Sequence, residues 1–269
     1  MVRKLLKDAA DRLKKSDTPM LDARVLLASA MGKADAALIF NMPDENELAL
    51  FNSYIEKRES GMPVAYILGE KEFMGLKFRL NADTLIPRPD TECLVERIAE
   101  IVGDKKVKIL DLCAGSGCIG ISLVKLLPNA TCDLTDICHE ALSAAKENAV
   151  LNGVDGRTRI FTLDVLNEEF PEGYDLIVSN PPYIESGIIK DLEVSAFEPV
   201  RALDGGEDGL TFYRAIAQKA YDALKKNGIL ALEIGYDQGE TATELLSNFS
   251  QVKLFKDYGG NDRVIMAIK

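Results

Sequence analysis

A chain of 269 residues can bury a full hydrophobic core and still carry a smaller second module. Its apolar fraction of 47% is ordinary for a globular protein, and no apolar run approaches the ~20 residues that span a bilayer. Charge is unevenly divided: residues 1–80 carry 13 basic and 12 acidic side chains, the rest 19 and 31. So acidic a remainder is poorly suited to long nucleic acid, whose binding rests on neutralised phosphates, and it fits a basic protein partner. The start, Met1-Val-Arg-Lys-Leu-Leu-Lys-Asp, mixes acids and bases and does not read as a secretory signal. Five cysteines with no Cys-x-x-Cys spacing read as reduced thiols of a cytoplasmic protein. A single histidine, His139, cannot build a multi-histidine metal site, and no metal is expected.

Residues 1–60 are predicted helical. Leu5, Leu6, Ala9 and Leu13 recur at helical spacing. Thr18-Pro19 marks a second start, and Leu21, Val25, Leu26 and Ala30 continue its apolar face. Asp44 and Glu47 have the spacing of a capping box ahead of Leu48, Phe51, Tyr54 and Ile55. Periodicity alone leaves two roles open for this bundle, substrate docking and simple packing. Residues 61–84 are predicted as a hairpin linker, with both limbs within Val64–Leu80. Residues 85–269 then form one domain. Leu85-Ile-Pro-Arg-Pro-Asp-Thr-Glu92 opens it, its prolines holding Arg88 extended, and a helix over Thr91–Ile101 follows.

Val107-Lys-Ile-Leu-Asp-Leu-Cys-Ala-Gly-Ser-Gly117 and the apolar run Cys118–Leu127 read as strand, glycine turn and helix. Gly115 and Gly117 permit positive φ and close backbone approach to a ligand across Cys113, Ala114 and Ser116. Gly115-Ser-Gly-Cys-Ile-Gly120 also spells a dinucleotide fingerprint, with Asp136 at a compatible distance. Asp111 argues against a dinucleotide. A carboxylate just ahead of the loop repels a pyrophosphate and attracts an ammonium. S-adenosylmethionine carries an ammonium and no phosphate. Ala130–Asp136 and Thr158–Asp164 read as further strands that end in acids, with a helix from His139 to Asn152 between them. Asp136 is placed to accept ribose hydroxyls and Asp164 an adenine amine.

Tyr174–Ser179 reads as a buried strand, and Asn180-Pro-Pro-Tyr183 ends it. Pro181 and Pro182 cannot donate to a ladder, so the chain becomes a stiff loop at a strand's carboxyl end. The Asn180 amide oxygen and the Pro181 carbonyl are two acceptors beside the flat face of Tyr183, a combination suited to a planar group bearing an NH2. A helix over Thr211–Leu224, a strand over Gly228–Gly235 and a helix over Glu240–Asn248 follow. Val252–Lys256 and Val264–Lys269 close the chain as two strands around Gly259-Gly-Asn-Asp262. This alternation predicts an α/β domain with a doubly wound, mostly parallel sheet and an antiparallel C-terminal edge hairpin.

The chain resembles the HemK/PrmC release-factor glutamine methyltransferases, class I Rossmann-like enzymes that use S-adenosylmethionine. The resemblance rests on Gly61-x-Pro-x-x-Tyr-Ile-Leu-Gly69, Leu85–Glu92, Asp111-Leu-x-x-Gly-Ser-Gly117, Asn180-Pro-Pro-Tyr-Ile184, Phe197-Glu-Pro-x-x-Ala-Leu-Asp-Gly-Gly206, Asp208-Gly-Leu210 and Asn261-Asp-Arg263. It implies methylation of the side-chain amide nitrogen of the glutamine in the Gly-Gly-Gln motif of peptide-chain release factors. It also implies that residues 1–60 help hold the factor. Cys113 and Ala114 depart from the glycine and small hydroxyl residue usual at those positions. Two alternatives share the Asn-Pro-Pro-Tyr chemistry: a glutamine methyltransferase of a ribosomal protein, and an adenine-N6 nucleic-acid methyltransferase. The acidic balance and the absence of tryptophan argue against the second. A monomer with no membrane association is expected.

Overall fold

A computed structural model describes residues 2–34, 38 and 41–269. The chain forms two compact units, Met1–Glu70 and Lys71–Lys269.

The first unit packs α1 (Val2–Arg12), α2 (Pro19–Ala30), α3 (Glu45–Glu59) and α4 (Val64–Leu68) around Leu6, Leu13, Leu26, Leu27, Phe51 and Ile55. The capping box at α3 is present: Glu47 N–H donates to Asp44 Oδ1 and Asp44 N–H to Glu47 Oε2, both at 2.8 Å. Thr18 does not cap α2 with its side chain. Its hydroxyl, with that of Ser16, turns instead to the buried Asp22, which also takes Arg58 Nε at 2.7 Å. Residues 64–68, predicted as part of a hairpin limb, are helical. Their Ile67 joins the helical core, so the first unit runs ten residues past the predicted boundary at 60. A run of five apolar residues after a proline serves a helix turn as well as a strand, and packing decides.

The second unit opens with a tight hairpin, β1 (Glu70–Phe73) and β2 (Leu76–Arg79), followed by α5 (Pro89–Val102). Its sheet contains β3 (Lys108–Leu112), β4 (Thr131–Asp136), β5 (Thr158–Thr162), β6 (Tyr174–Ser179), β7 (Leu224–Glu233), β8 (Ser250–Lys256) and β9 (Asp262–Ile268) in the order β5-β4-β3-β6-β7-β9-β8. β3 to β7 are parallel, and β9 and β8 are antiparallel, as the alternation predicts. Helices α5, α6 (Cys118–Leu126) and α7 (His139–Leu151) cover one face; α8 (Thr211–Ala223) and α9 (Gly239–Leu245) cover the other. Alternate strand residues serve the two layers: Ile109 and Val178 belong to one core, Leu110 and Ile177 to the other. β9 is the inner strand of the final hairpin because Val264–Ala267 is continuously buried, whereas β8 is mostly exposed and lies at the edge. Strand order reverses between β3 and β6. The crevice above their carboxyl ends is where such sheets bind ligands.

Candidate active site

Above the switch point lies a cavity of about 360 Å³. Its wall includes Cys113 and Gly115 after β3, Asp136 to Cys138 after β4, Leu163 to Asn167 after β5, and Asn180 and Pro182 after β6. A second cavity of about 110 Å³ is lined by Leu85, Arg88, Asn180, Pro181, Tyr183, Ile184, Val194, Ala202 and Leu203. Asn180, Leu85 and Ala202 line both.

The loop after β3 takes its shape from backbone conformation. Gly115 and Gly117 have φ of +53° and +77°. The positive φ favours glycine at 117, and a Cβ there would crowd Ile121 Cδ1 at 2.9 Å and Ala145 Cβ at 3.2 Å. Cys113 adopts φ +55° without being glycine, a conformation that costs an L-residue roughly 1–2 kcal/mol. Burial pushes its thiol well above the usual range, so it lines the cavity as a neutral group. Ala114 and Ser116 are buried in the loop and do not line the cavity.

Asp111 departs from expectation. It is fully buried beneath the loop and does not reach the cavity wall. Its Oδ2 accepts from Gly120 N–H at 2.9 Å, its Oδ1 has no partner, and burial pushes its pKa up to about 8. The side chain is a brace between β3 and α6, and its charge is suppressed where the sequence argument needed it expressed. Of the three strand-end acids, Asp136 and Asp164 line the cavity, together with Asp83. Among the described residues the one cation on that wall is Arg201, and it is paired with Asp83.

Asp136 accepts from Gly115 N–H through Oδ2 and from Cys138 N–H through Oδ1, both at 2.9 Å. Burial raises its pKa and these two donors oppose the rise. Asp164 accepts from Leu166 N–H at 2.8 Å and from Asn167 Nδ2 at 2.8 Å. The Asn167 side chain leads in holding its pKa below the usual range. Each carboxylate is therefore oriented by backbone or a neighbouring amide before a ligand arrives. Acceptors at two strand ends and an apolar wall of Ile137, Leu163 and Val165 suit a nucleoside without phosphates. On this basis the residues fit S-adenosylmethionine.

The loop after β6 is shaped by its neighbours. Pro181 and Pro182 are buried, and Asn180 and Tyr183 are half-buried. Asn180 Nδ2 donates to Thr91 Oγ1 at 3.4 Å, which leaves Oδ1 free to accept. The Tyr183 hydroxyl donates to Glu233 Oε1 at 3.4 Å. Behind the loop, Gln238 Nε2 donates to the Tyr183 carbonyl at 3.1 Å. A Cβ on Gly205 would lie 2.7 Å from Tyr183 Cα, and one on Gly209 2.5 Å from the Tyr183 carbonyl oxygen. The Asp-Gly-Gly and Asp-Gly-Leu segments thus press against the loop's backbone. Glu198 is buried and ties Ile86 N–H and Arg88 together beside the smaller cavity. Thr91, Glu198, Glu233 and Gln238 were not singled out individually from the sequence. A lone polar residue in a helix turn or at a strand end carries no periodic signal. Among the described residues no cluster of histidine, cysteine or carboxylate side chains could hold a metal ion, and no helix is long and apolar enough to cross a membrane.

The sheet order, the nucleoside-shaped cavity at its switch point and the adjoining Asn-Pro-Pro-Tyr loop define a Rossmann-like methyltransferase. Residues 89–197 match the methyltransferase small domain, and residues 4–69 match the PrmC N-terminal domain. A release factor glutamine methyltransferase of Clostridium botulinum is 41% identical over 260 residues, covering 93% of this chain and 92% of that protein. One from Agrobacterium fabrum is 40% identical over 92% of this chain and 89% of its own length. The crystal structure of an S-adenosylmethionine-dependent O-methyltransferase from Thermotoga maritima matches the fold with a TM-score of 0.50 at 14% identity, over 70% of this chain and 66% of that one. The chain belongs to the release factor glutamine methyltransferase family.

Proposed function

We infer that this protein transfers a methyl group from S-adenosylmethionine to the side-chain amide nitrogen of a release-factor glutamine, the one in the Gly-Gly-Gln motif. The observation that carries the reading is the meeting of two cavities at Asn180. The larger has the size and acceptors for the cofactor, and the smaller has room for one side-chain amide.

Asp136 would take the ribose hydroxyls and Asp164 the adenine amine, with Gly115 giving the backbone room to approach; Gly117 faces Ile121, Ala145 and Leu134 and shapes the loop from within. Bound there, the cofactor supplies an electrophilic methyl group on a sulfonium. A carboxamide nitrogen is a weak nucleophile because its lone pair is delocalised. Asn180 Oδ1 and the Pro181 carbonyl would each accept one N–H of the substrate amide, fix its rotation and favour positive charge developing on nitrogen. Tyr183 would pack against the amide plane. Its hydroxyl is engaged behind the loop by Glu233, so the ring rather than the OH is offered to the substrate. No strong base is required before transfer, since the proton gains acidity only as the new bond forms.

Residues 1–60 are proposed to hold the factor. Leu21, on the first turn of α2, is 53% exposed although apolar. Leu21→Asp should raise KM for the intact factor about five-fold or more and leave cofactor affinity unchanged. An unchanged KM would remove Leu21 from the docking surface.

The test of the function is direct. Purified protein, labelled S-adenosylmethionine and a release factor should give label on the factor, and none when the Gly-Gly-Gln glutamine is replaced by alanine. Label on a ribosomal protein or on adenine-containing DNA, with none on the factor, would transfer the assignment to one of the alternatives. Calorimetry should show binding of S-adenosylmethionine and none of NAD.

A further inference from the structure

The chemistry proposed above uses only one end of the substrate's carboxamide. Such a group brings N–H donors on nitrogen and an acceptor on its carbonyl oxygen. Asn180 Oδ1 and the Pro181 carbonyl answer the donors. The carbonyl oxygen also leaves water when it enters the smaller cavity, and without a donor it would forfeit a hydrogen bond among Leu85, Val194 and Leu203. Two polar groups of that wall donate elsewhere: Asn180 Nδ2 to Thr91 Oγ1, and the Tyr183 hydroxyl to Glu233 Oε1. Among the described residues Arg88 is the one charged side chain on the wall. Its guanidinium is a planar fork of N–H donors, and Nη2 goes to Glu198 Oε1.

The Arg88–Glu198 pair is buried at one end and open at the other. The Glu198 side chain is 1% exposed and that of Arg88 is 36% exposed. Glu198 Oε2 accepts from Ile86 N–H at 3.2 Å, so both carboxylate oxygens are engaged by the segment that carries Arg88. Glu198 N–H donates to the Val194 carbonyl, and Ile184 N–H to the Leu203 carbonyl, both at 2.9 Å. These bonds stitch residues 194–203 to the Asn-Pro-Pro-Tyr loop and, through Glu198, to residues 86–88. Arg88 and Asn180 are thereby held on the wall of one cavity. An unpaired guanidinium here would repel a sulfonium, and the Glu198 carboxylate removes that penalty while leaving N–H groups free to donate.

We propose that Arg88 binds the carbonyl oxygen of the substrate carboxamide and that Glu198 is the positioning residue that aims it. The inference rests on the function proposed above and deepens it, because the site then reads both ends of the amide. A glutamate side chain would press an oxygen against the two acceptors, and a lysine ammonium would meet the charge of Arg88. The contribution of Arg88 is grip rather than activation. A donor at the carbonyl draws density from nitrogen, so the gain lies in holding the amide in line with the methyl group.

The experiment is single-turnover methylation of an intact release factor by the full chain at saturating S-adenosylmethionine. Arg88→Ala should lower the second-order rate at least about ten-fold while the cofactor Kd stays within about two-fold. Guanidinium chloride well below denaturing concentration should raise the rate of that variant about three-fold or more, and sodium chloride at equal ionic strength should not. Free guanidinium can donate to the carbonyl but is not tethered to residues 85–89, so it cannot replace a merely structural brace. Glu198→Gln keeps the donors of Arg88 and should be slowed less than Arg88→Ala. An Arg88→Ala rate within about two-fold of the parent, no recovery with guanidinium, or an equal or larger loss in Glu198→Gln would each overturn the proposal. If Arg88→Ala does not fold, Arg88→Lys decides. Its compact ammonium keeps the charge but cannot serve carboxylate and carbonyl as a fork does, so the rate should fall at least about five-fold, and a rate equal to the parent's overturns the proposal. A parent that methylates the factor beside indifferent variants refutes only this role of Arg88 and Glu198. A parent that labels no factor removes the proposed function and this inference with it.

Discussion

The two loops that meet in the site follow parallel strands one place apart in the same sheet, yet they hold their shapes by different means. The loop after β3 is self-shaped. Gly115 and Gly117 enter left-handed conformations, and Gly117 N–H closes a turn onto the Ala114 carbonyl at 2.7 Å. The loop after β6 cannot do this, because two of its four residues lack an N–H. It is held from outside by Gly205, Gly209, Gln238, Thr91 and Glu233. A self-shaped loop can present backbone to many ligands. A loop held from outside presents particular side-chain atoms in particular directions, and here it carries the residue that would act on the substrate.

The largest effect is expected where the externally held loop meets the chemistry. Asn180→Ala should lower single-turnover methyl transfer on the order of 10²–10³-fold, with cofactor Kd changed far less. A rate within a few-fold of the parent would reduce Asn180 to a turn residue and erase the contrast between the loops. Next comes Gly209→Ala, which puts a Cβ 2.5 Å from the Tyr183 carbonyl oxygen at φ +70°. It should displace the loop and cut the rate at least about ten-fold, at a stability cost of roughly 1–3 kcal/mol. Gly115→Ala is the matched control. Its φ is +53° but a Cβ there meets nothing, so the cost should be near 1 kcal/mol of strain with cofactor affinity bearing most of the change. Equal losses of turnover in the two alanine variants would show that both loops are held alike.

Asp111 gives a smaller and pH-dependent effect. Its folded pKa of about 8 lies above the ordinary carboxylate value, so folding favours its protonated form. That contribution is complete below the unfolded pKa and is lost as pH rises toward about 8. Asp111→Asn should therefore gain stability relative to the parent as pH is raised from about 4 to 8, followed by urea midpoints. A parallel pH profile for the two proteins would place an ionised Asp111 in the folded loop. The smallest change is expected from Cys113→Gly. Relief of its φ +55° offsets the added freedom of glycine in the unfolded chain, leaving a net shift under about 1 kcal/mol.

Much of the architecture was readable from the linear chain. Strand-length apolar runs alternate with helical periodicities, and this sets a doubly wound sheet because parallel neighbours need crossovers. Asp44 and Glu47 announced a capping box that depends on residues only three apart. Asn180-Pro-Pro-Tyr183 announced its own loop because proline acts on its immediate neighbours. These are local effects, and local effects survive in a one-dimensional reading. Tertiary structure alone decided the rest. It made residues 64–68 helical by burying Ile67 in the helical unit. It sank Asp111 beneath its loop and left Asp136 and Asp164 on the cavity wall, although all three are acids at strand ends. It also brought Thr91, 89 residues away in sequence, against Asn180, and Glu233, 50 residues beyond Tyr183, against the tyrosine hydroxyl. The physical reason is that burial and hydrogen-bond partnership across strands belong to register and layer packing. Neither leaves a trace in the spacing of residues along one segment.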